Sequence, residues 1–173
     1  MPLDPTHVRQ ALHAASQVAL PDARGKAFER VAAYIFREIG CVVEPNLVNP
    51  LGAQQIDMAV AHLGALGPVP TFFFVECKYW EQSVDSAAVG YFLNTCKDRK
   101  VRLGVIISRS GITGSAEEAT RAHSLAFAAS ADGLNVVVVR ESDLLSAESD
   151  EEFVQALLRA WMRAAATGGV GYT

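Results

Sequence analysis

QIDMAVAHLGALGPVPTFFFVECKY, residues 55–79, carries two β-strand signatures around a loop rich in glycine and proline. In the second signature, residues 71–79, period-two alternation puts Phe72, Phe74, Glu76 and Lys78 on one face and Phe73, Val75 and Cys77 on the other. In the first, residues 55–61, the apolar face is Ile56, Met58 and Val60, and the other is Gln55, Asp57, Ala59 and Ala61. A hairpin folded about a midpoint near Gly67 sets Asp57 opposite or diagonal to Glu76, give or take a residue or two of register.

Directly opposed side chains stand ~5 Å apart at Cβ, and like charges there are destabilising. A compensating positive charge is required, from Lys78 or from a divalent cation. Hard oxygen ligands point to magnesium rather than zinc. The Asp57 and Glu76 carboxylates with a backbone carbonyl, that of Cys77, leave positions for waters and a phosphate oxygen. Such an ion stabilises charge on a phosphate and acidifies a bound water, while Lys78 orients that water or supports its deprotonation. An isolated Glu-x-Lys on a strand reads more simply as a solvated edge or a same-face salt bridge; the opposing Asp57 favours the metal site.

Working outward, Phe28, Val31, Ala32, Ile35, Phe36 and Ile39 recur at helical spacing over residues 24–39, with Gly40 as a stop signal. Glu29 lies at the border of that apolar stripe, and Ala32 and Ala33 leave space around it. It reads as a fourth member of the site or as a surface partner of Lys26, in the less favourable order for a helical pair. Strands are predicted at 41–48, 55–61, 71–79, 103–108 and 135–139, and helices at 85–99, 115–130 and 151–166. Short loops make the first three strands antiparallel neighbours, while the apolar runs at 103–108 and 135–139, joined by a helix, read as buried parallel strands. The expected architecture is a three-layer α/β/α fold with a central mixed sheet. We expect a single domain over 1–173, its core at about 22–145, a helix at 151–166 and a flexible glycine-rich tail at 167–173.

With 173 residues, half of them hydrophobic and a fifth charged, the chain can bury one core. No segment approaches the ~20 apolar residues of a membrane helix, so a cytoplasmic protein away from the membrane is expected. Cys41, Cys77 and Cys96 lack zinc-ligand spacing and read as reduced, packed thiols. Of 19 acids and 15 bases, six acids and two bases fall in residues 141–173, which leaves 13 of each in the body. A neutral body predicts weak unaided affinity for DNA.

Lys97, Arg99, Lys100 and Arg102 form a dense basic run, a candidate phosphate contact or a solvated helix end. Ser108, Ser110 and Thr113 are candidate phosphate-binding hydroxyls, although capping around Ser115 accounts for their neighbourhood. Tyr79, Trp80 and Tyr91 can stack on bases, but packing is the simpler account. His7, His13, His62 and His123 are scattered, which argues against a histidine metal site or a catalytic triad.

Taken together, GKAFERVAAYIFREIG (25–40), QQID (54–57), FVECKYW (74–80) and LGVIISRSGITGSAEEA (103–119) resemble the PD-(D/E)XK nuclease superfamily, and within it the Mrr-like restriction endonuclease domains, over roughly residues 24–145. The resemblance implies a restriction-endonuclease-like fold and a metal-dependent DNA endonuclease of the restriction or phage-defence kind. It puts the helix glutamate of that family on Glu29, the metal-binding aspartate on Asp57, the second acidic ligand on Glu76 and the catalytic lysine on Lys78. Mg²⁺ is the implied cofactor, with Mn²⁺ as substitute. The glycine-rich turn usual before the aspartate is replaced by LGAQQI (51–56), so Gln55 joins Lys97, Arg99 and Lys100 as a candidate DNA contact. Such enzymes usually carry a separate DNA-reading domain, and only 23 residues precede Arg24 here, so a partner protein is expected to supply recognition. Cutting both strands implies a homodimer. The alternatives are a structure-selective nuclease resembling Holliday-junction resolvases and a non-catalytic nuclease-fold module within a complex.

Overall fold

The structure, a computed structural model, describes residues 3–50, 52, 54–79, 81–112 and 116–173, the side chains of 116–119 excepted. In chain order the elements are α1 (Pro5–Ser16), α2 (Pro21–Glu38), β1 (Cys41–Val48), β2 (Gln55–His62), β3 (Phe72–Lys78), α3 (Ser86–Asp98), β4 (Leu103–Ser108), α4 (Ala116–Ala131), β5 (Asn135–Arg140), α5 (Glu141–Ser146), α6 (Asp150–Thr167) and β6 (Val170–Tyr172). The strands form one six-stranded sheet in sequence order. The β1–β2 and β2–β3 junctions are antiparallel, and the three that follow are parallel. The mixed sheet between helical layers is the predicted architecture, a restriction-endonuclease-like fold.

Strand composition explains the sheet. Every residue of β4 is buried, as are the four valines of β5, because helices cover both faces of the parallel half. On one face α2 buries Phe28, Val31, Ala32, Ile35 and Phe36, with the Phe36 ring edge-on to Phe73 of β3 and to Phe153 of α6. On the other, α3 packs Phe92 and Cys96 against Gly104 of β4, and α4 packs against α3 and β5. α2 begins at Pro21, earlier than its apolar stripe indicated, because proline suits the first helical position. Asp85 caps α3 by accepting the Ala88 N–H at 2.8 Å. No helix of the described residues is long and apolar enough to cross a membrane.

Two expectations need correction. The core is not confined to 22–145: Val8 and Leu12 of α1 and Phe153, Leu157 and Ala160 of α6 belong to it. Nor is the glycine-rich tail loose, since Val170–Tyr172 pairs in parallel with Val136–Val138. Gly168, at φ 71°, ends α6 in the left-handed conformation and turns the chain back. Gly171 lies so close to α6 that a Cβ there would fall 2.0 Å from the Ala160 carbonyl oxygen. These glycines serve close packing rather than flexibility. Gly171→Ala is expected to lower stability by about 1–3 kcal/mol through overpacking, and a thermal melt unchanged by the substitution would show that β6 is not docked.

Candidate active site

The β2–β3 ladder pairs Met58 with Val75, Ala59 with Phe74, Val60 with Phe73 and Ala61 with Phe72. One step further along this register sets Asp57 across from Glu76, as the loop midpoint indicated. The ladder itself stops at Met58–Val75. Beyond it, the Cys77 N–H donates to Asp57 Oδ2 at 2.8 Å, a side-chain bond where a main-chain one would continue the sheet. On the other side of β3, the Lys78 carbonyl accepts the Arg109 N–H at 3.3 Å. Main-chain groups of successive strand residues point to opposite edges, so the Cys77 carbonyl faces β2 and the gap beside Asp57. The Cys77 thiol is buried, with its pKa pushed well above the ordinary thiol value by burial and by the surrounding carboxylates.

Asp57 is 8% exposed, and Lys78 Nζ lies 2.6 Å from Glu76 Oε1. Burial, with the Asp57 charge adding to it, pushes the Glu76 carboxyl up to about 7 despite the Lys78 ammonium. Asp57 is also raised, by burial working against the Cys77 N–H and Lys78. Burial disfavours the Lys78 ammonium, yet the Glu76 and Asp57 carboxylates outweigh it and hold the pKa above the usual lysine value. Glu29, half-buried on α2, is raised by burial and by Asp57, opposed by Lys26, Lys78 and Arg30. The structure thus brings all four predicted polar residues into one electrostatic cluster. Carboxylates with raised pKa values at a strand end mark a site short of positive charge.

Among the described residues no three His, Cys, Asp or Glu side chains converge on a common point. A cation held here would therefore use the Asp57 and Glu76 carboxylates, the Cys77 carbonyl and waters. That all-oxygen set fits magnesium and lacks the nitrogen and sulfur donors zinc prefers.

The other candidates are dispersed. Gln55 is exposed at the start of β2, on the face of Asp57. Its neighbour Gln54 donates to Asp98 at 2.9 Å and accepts from Arg99 at 3.1 Å, so Arg99 reaches the edge of the site. Lys97, paired with Asp132 at 2.7 Å, instead lines a separate cavity of about 400 Å³ together with Lys100, Arg102 and Gly133. The basic run is one cluster in sequence and two in space. The Tyr79 ring packs 5.0 Å from Phe28 and under the Arg109 guanidinium, and Tyr91 is exposed. The Ser110 hydroxyl donates to the Glu81 carbonyl. His62 is a loop clamp, its Nε2 facing the Val69 and Pro70 carbonyls and its Nδ1 accepting from Gly64. Trp80, Thr113 and Ser115 lie outside the described residues.

Ser108 stands opposite Lys78 in the β3–β4 register, 1% exposed, with its hydroxyl unpartnered among the described residues. Sequence reasoning singled it out without that context. It missed Arg30 and Arg37 altogether, and their helical spacing from Lys26 was the available signal.

No protein of curated function matches the sequence. The Mrr_cat family, described as restriction endonuclease, matches residues 20–135, a span that includes Glu29, Asp57, Glu76 and Lys78. With more than half of its length matched and this fold around the four residues, the chain belongs to the Mrr-like restriction endonucleases, nucleases of the PD-(D/E)XK type.

Proposed function

We propose that the chain is a Mg²⁺-dependent DNA endonuclease that hydrolyses phosphodiester bonds, with Asp57, Glu76, Lys78 and Glu29 at its catalytic centre. The observation that carries this reading is the gap between β2 and β3, where Asp57 and Glu76 face each other beside the Cys77 carbonyl and Lys78 lies 2.6 Å from Glu76. Asp57, Glu76 and Cys77 would hold Mg²⁺, or Mn²⁺ in its place, and the bound ion supplies the positive charge that stabilises the scissile phosphate.

The chain's own groups do the rest. The Cys77 N–H fixes the Asp57 carboxylate in one orientation. Glu76 keeps the Lys78 ammonium charged and directed into the gap, where it orients the attacking water and stabilises charge gathering on the phosphate oxygens. Water adds to phosphorus, the P–O bond to the leaving group breaks, and the water's proton passes to solvent or to the departing oxygen. Glu29, facing Lys78 electrostatically from α2, acts as a positioning residue for it. A second copy would supply the cut in the other strand, and a partner protein the sequence reading, in a restriction or defence setting.

The test is cleavage of supercoiled plasmid and of a four-way junction by the purified protein with Mg²⁺ or Mn²⁺, against EDTA and against Lys78→Ala. Metal-dependent nicking that falls by about a hundredfold or more in the variant supports the reading. Faster cutting of the junction than of the plasmid would move the assignment to branched DNA. Folded protein that binds DNA equally with and without metal and never cuts it would make the chain a binding module.

A further inference from the structure

We propose that the groove between α2 and β1 is the track for the phosphodiester backbone of one DNA strand, leading it into the catalytic gap at Glu29. The proposal rests on the nuclease reading above and extends it to substrate contacts outside the catalytic quartet.

Lys26, Arg30, Ala33 and Arg37 fall within about 60° of arc on α2 at 3.6 residues per turn, so helical periodicity gathers three cations that the sequence scatters. All three are exposed. From Lys26 to Arg37 the stripe runs about 16 Å at 1.5 Å per residue, the axial length of about five nucleotides of one strand. The stripe forms one wall of a groove of about 350 Å³, and Pro45 and Asn46 of β1 form the other. Glu29 is the only acid in that lining, so the groove is net positive in a chain of net charge −4. The ion pairs of the described residues, those of Arg9, Lys78, Lys97, Arg109 and Arg140 among them, leave the α2 stripe out.

The groove also meets the site. In the β1–β2 register Pro45 pairs with Met58 and Leu47 with Ile56, while the pair between them, Asn46 with Asp57, is missing from the ladder. Asn46 adopts φ 54°, in the left-handed region, which kinks the edge strand directly beside Asp57. A residue held in that conformation next to a catalytic carboxylate is a candidate clamp, and an asparagine amide is a regular donor to phosphate oxygens. Three point charges leading to an amide donor and then to the carboxylate gap form a graded path for a polyanion. The 97–102 run is weaker in this role, with Lys97 already paired to Asp132 and Arg99 bonded to Gln54 beside Asp98.

The experiment is fluorescence anisotropy with a labelled 24-base-pair duplex in EDTA across a salt series, paired with steady-state cleavage in Mg²⁺. For Arg30→Gln/Arg37→Gln the slope of log affinity against log salt is expected to flatten by about two, and affinity at fixed low salt to fall roughly a hundredfold. KM should rise correspondingly while kcat at saturating DNA changes less than about threefold. Arg30→Lys/Arg37→Lys should restore the slope, because a phosphate track needs charge rather than a fork. Arg159→Glu on α6 lowers the net charge by the same two units and should leave slope and KM alone. Asn46→Gly keeps the left-handed backbone, removes the amide and should raise KM. Wild-type cleavage with an unchanged slope and KM in the Arg30/Arg37 double variant, its melting curve intact, would overturn the track and leave the nuclease standing. Wild-type protein that neither binds nor cuts DNA would overturn both.

Discussion

Asp57→Asn is expected to reduce metal-dependent strand cleavage by about a thousandfold or more while leaving the fold at least as stable as before. The Asp57 carboxylate is buried, and burial raises its pKa, so its negative charge costs the metal-free fold free energy. Asparagine keeps an oxygen to accept the Cys77 N–H, whose bond to Asp57 is 2.8 Å, and removes only the charge. A cation would then face one carboxylate instead of two. Asp57→Ala differs, because it leaves the buried Cys77 N–H without its acceptor, a cost of about 1–3 kcal/mol that partly offsets the relief of charge. Single-turnover cleavage, Mn²⁺ titration and thermal melts of the two variants separate these effects. Cleavage by Asp57→Asn within tenfold of the parent protein would remove Asp57 from the catalytic centre.

Glu76 gives the second large effect, through pH. Its carboxyl titrates at about 7, mainly because it is buried and faces Asp57. Only the ionised form is a ligand, so at subsaturating Mg²⁺ kcat/KM is expected to rise about tenfold per pH unit below 7 and level off above it. Metal competes with the proton, so raising Mg²⁺ should move that midpoint to lower pH. The stability consequence has the opposite sign. The folded pKa lies above the ordinary value of 4.5, so the fold favours the protonated form. Glu76's contribution is therefore fully present below about pH 4.5 and is lost as pH rises through 7. At pH 8 the ionised carboxylate lowers metal-free stability by about 3 kcal/mol. Glu76→Gln, which still accepts from Lys78, should raise stability by about 3 kcal/mol at pH 8, by under about 1 kcal/mol at pH 5, and remove cleavage. An equal gain at both pH values in denaturant melts would show that Glu76 does not titrate between them.

Much of this centre was legible in the sequence because strand periodicity is local. Alternation over residues 71–79 assigns Glu76 and Lys78 to one face, and the loop midpoint puts Asp57 in register with them; the ladder sums agree. The apolar stripe of α2 likewise put Glu29 at its border before any packing was known. A period of 2 or 3.6 cannot say which distant segments a residue will meet. That the strands part after Met58–Val75, so that Asp57 takes the Cys77 N–H, depends on β3 being held by β4 on its other edge. Whether glycines at the chain end mean freedom or close contact depends on α6 lying over Gly171.

The charges divide in the same way. Lys97, Arg99, Lys100 and Arg102 are neighbours in sequence, but Gln54 engages Arg99 just before β2 while the other three line a separate cavity with Asp132. Lys26, Arg30 and Arg37 are spread over twelve positions, and the helix aligns them against β1, where Asn46 falls opposite Asp57 by register. The sequence alone determined the strand faces and the helix stripe, brought the hairpin register to within a residue or two and singled out the four polar residues as candidates, because backbone periodicity and turn chemistry are local. Only the tertiary structure decided where the ladder breaks, what the terminal glycines contact and which cations share a groove, because those depend on long-range packing.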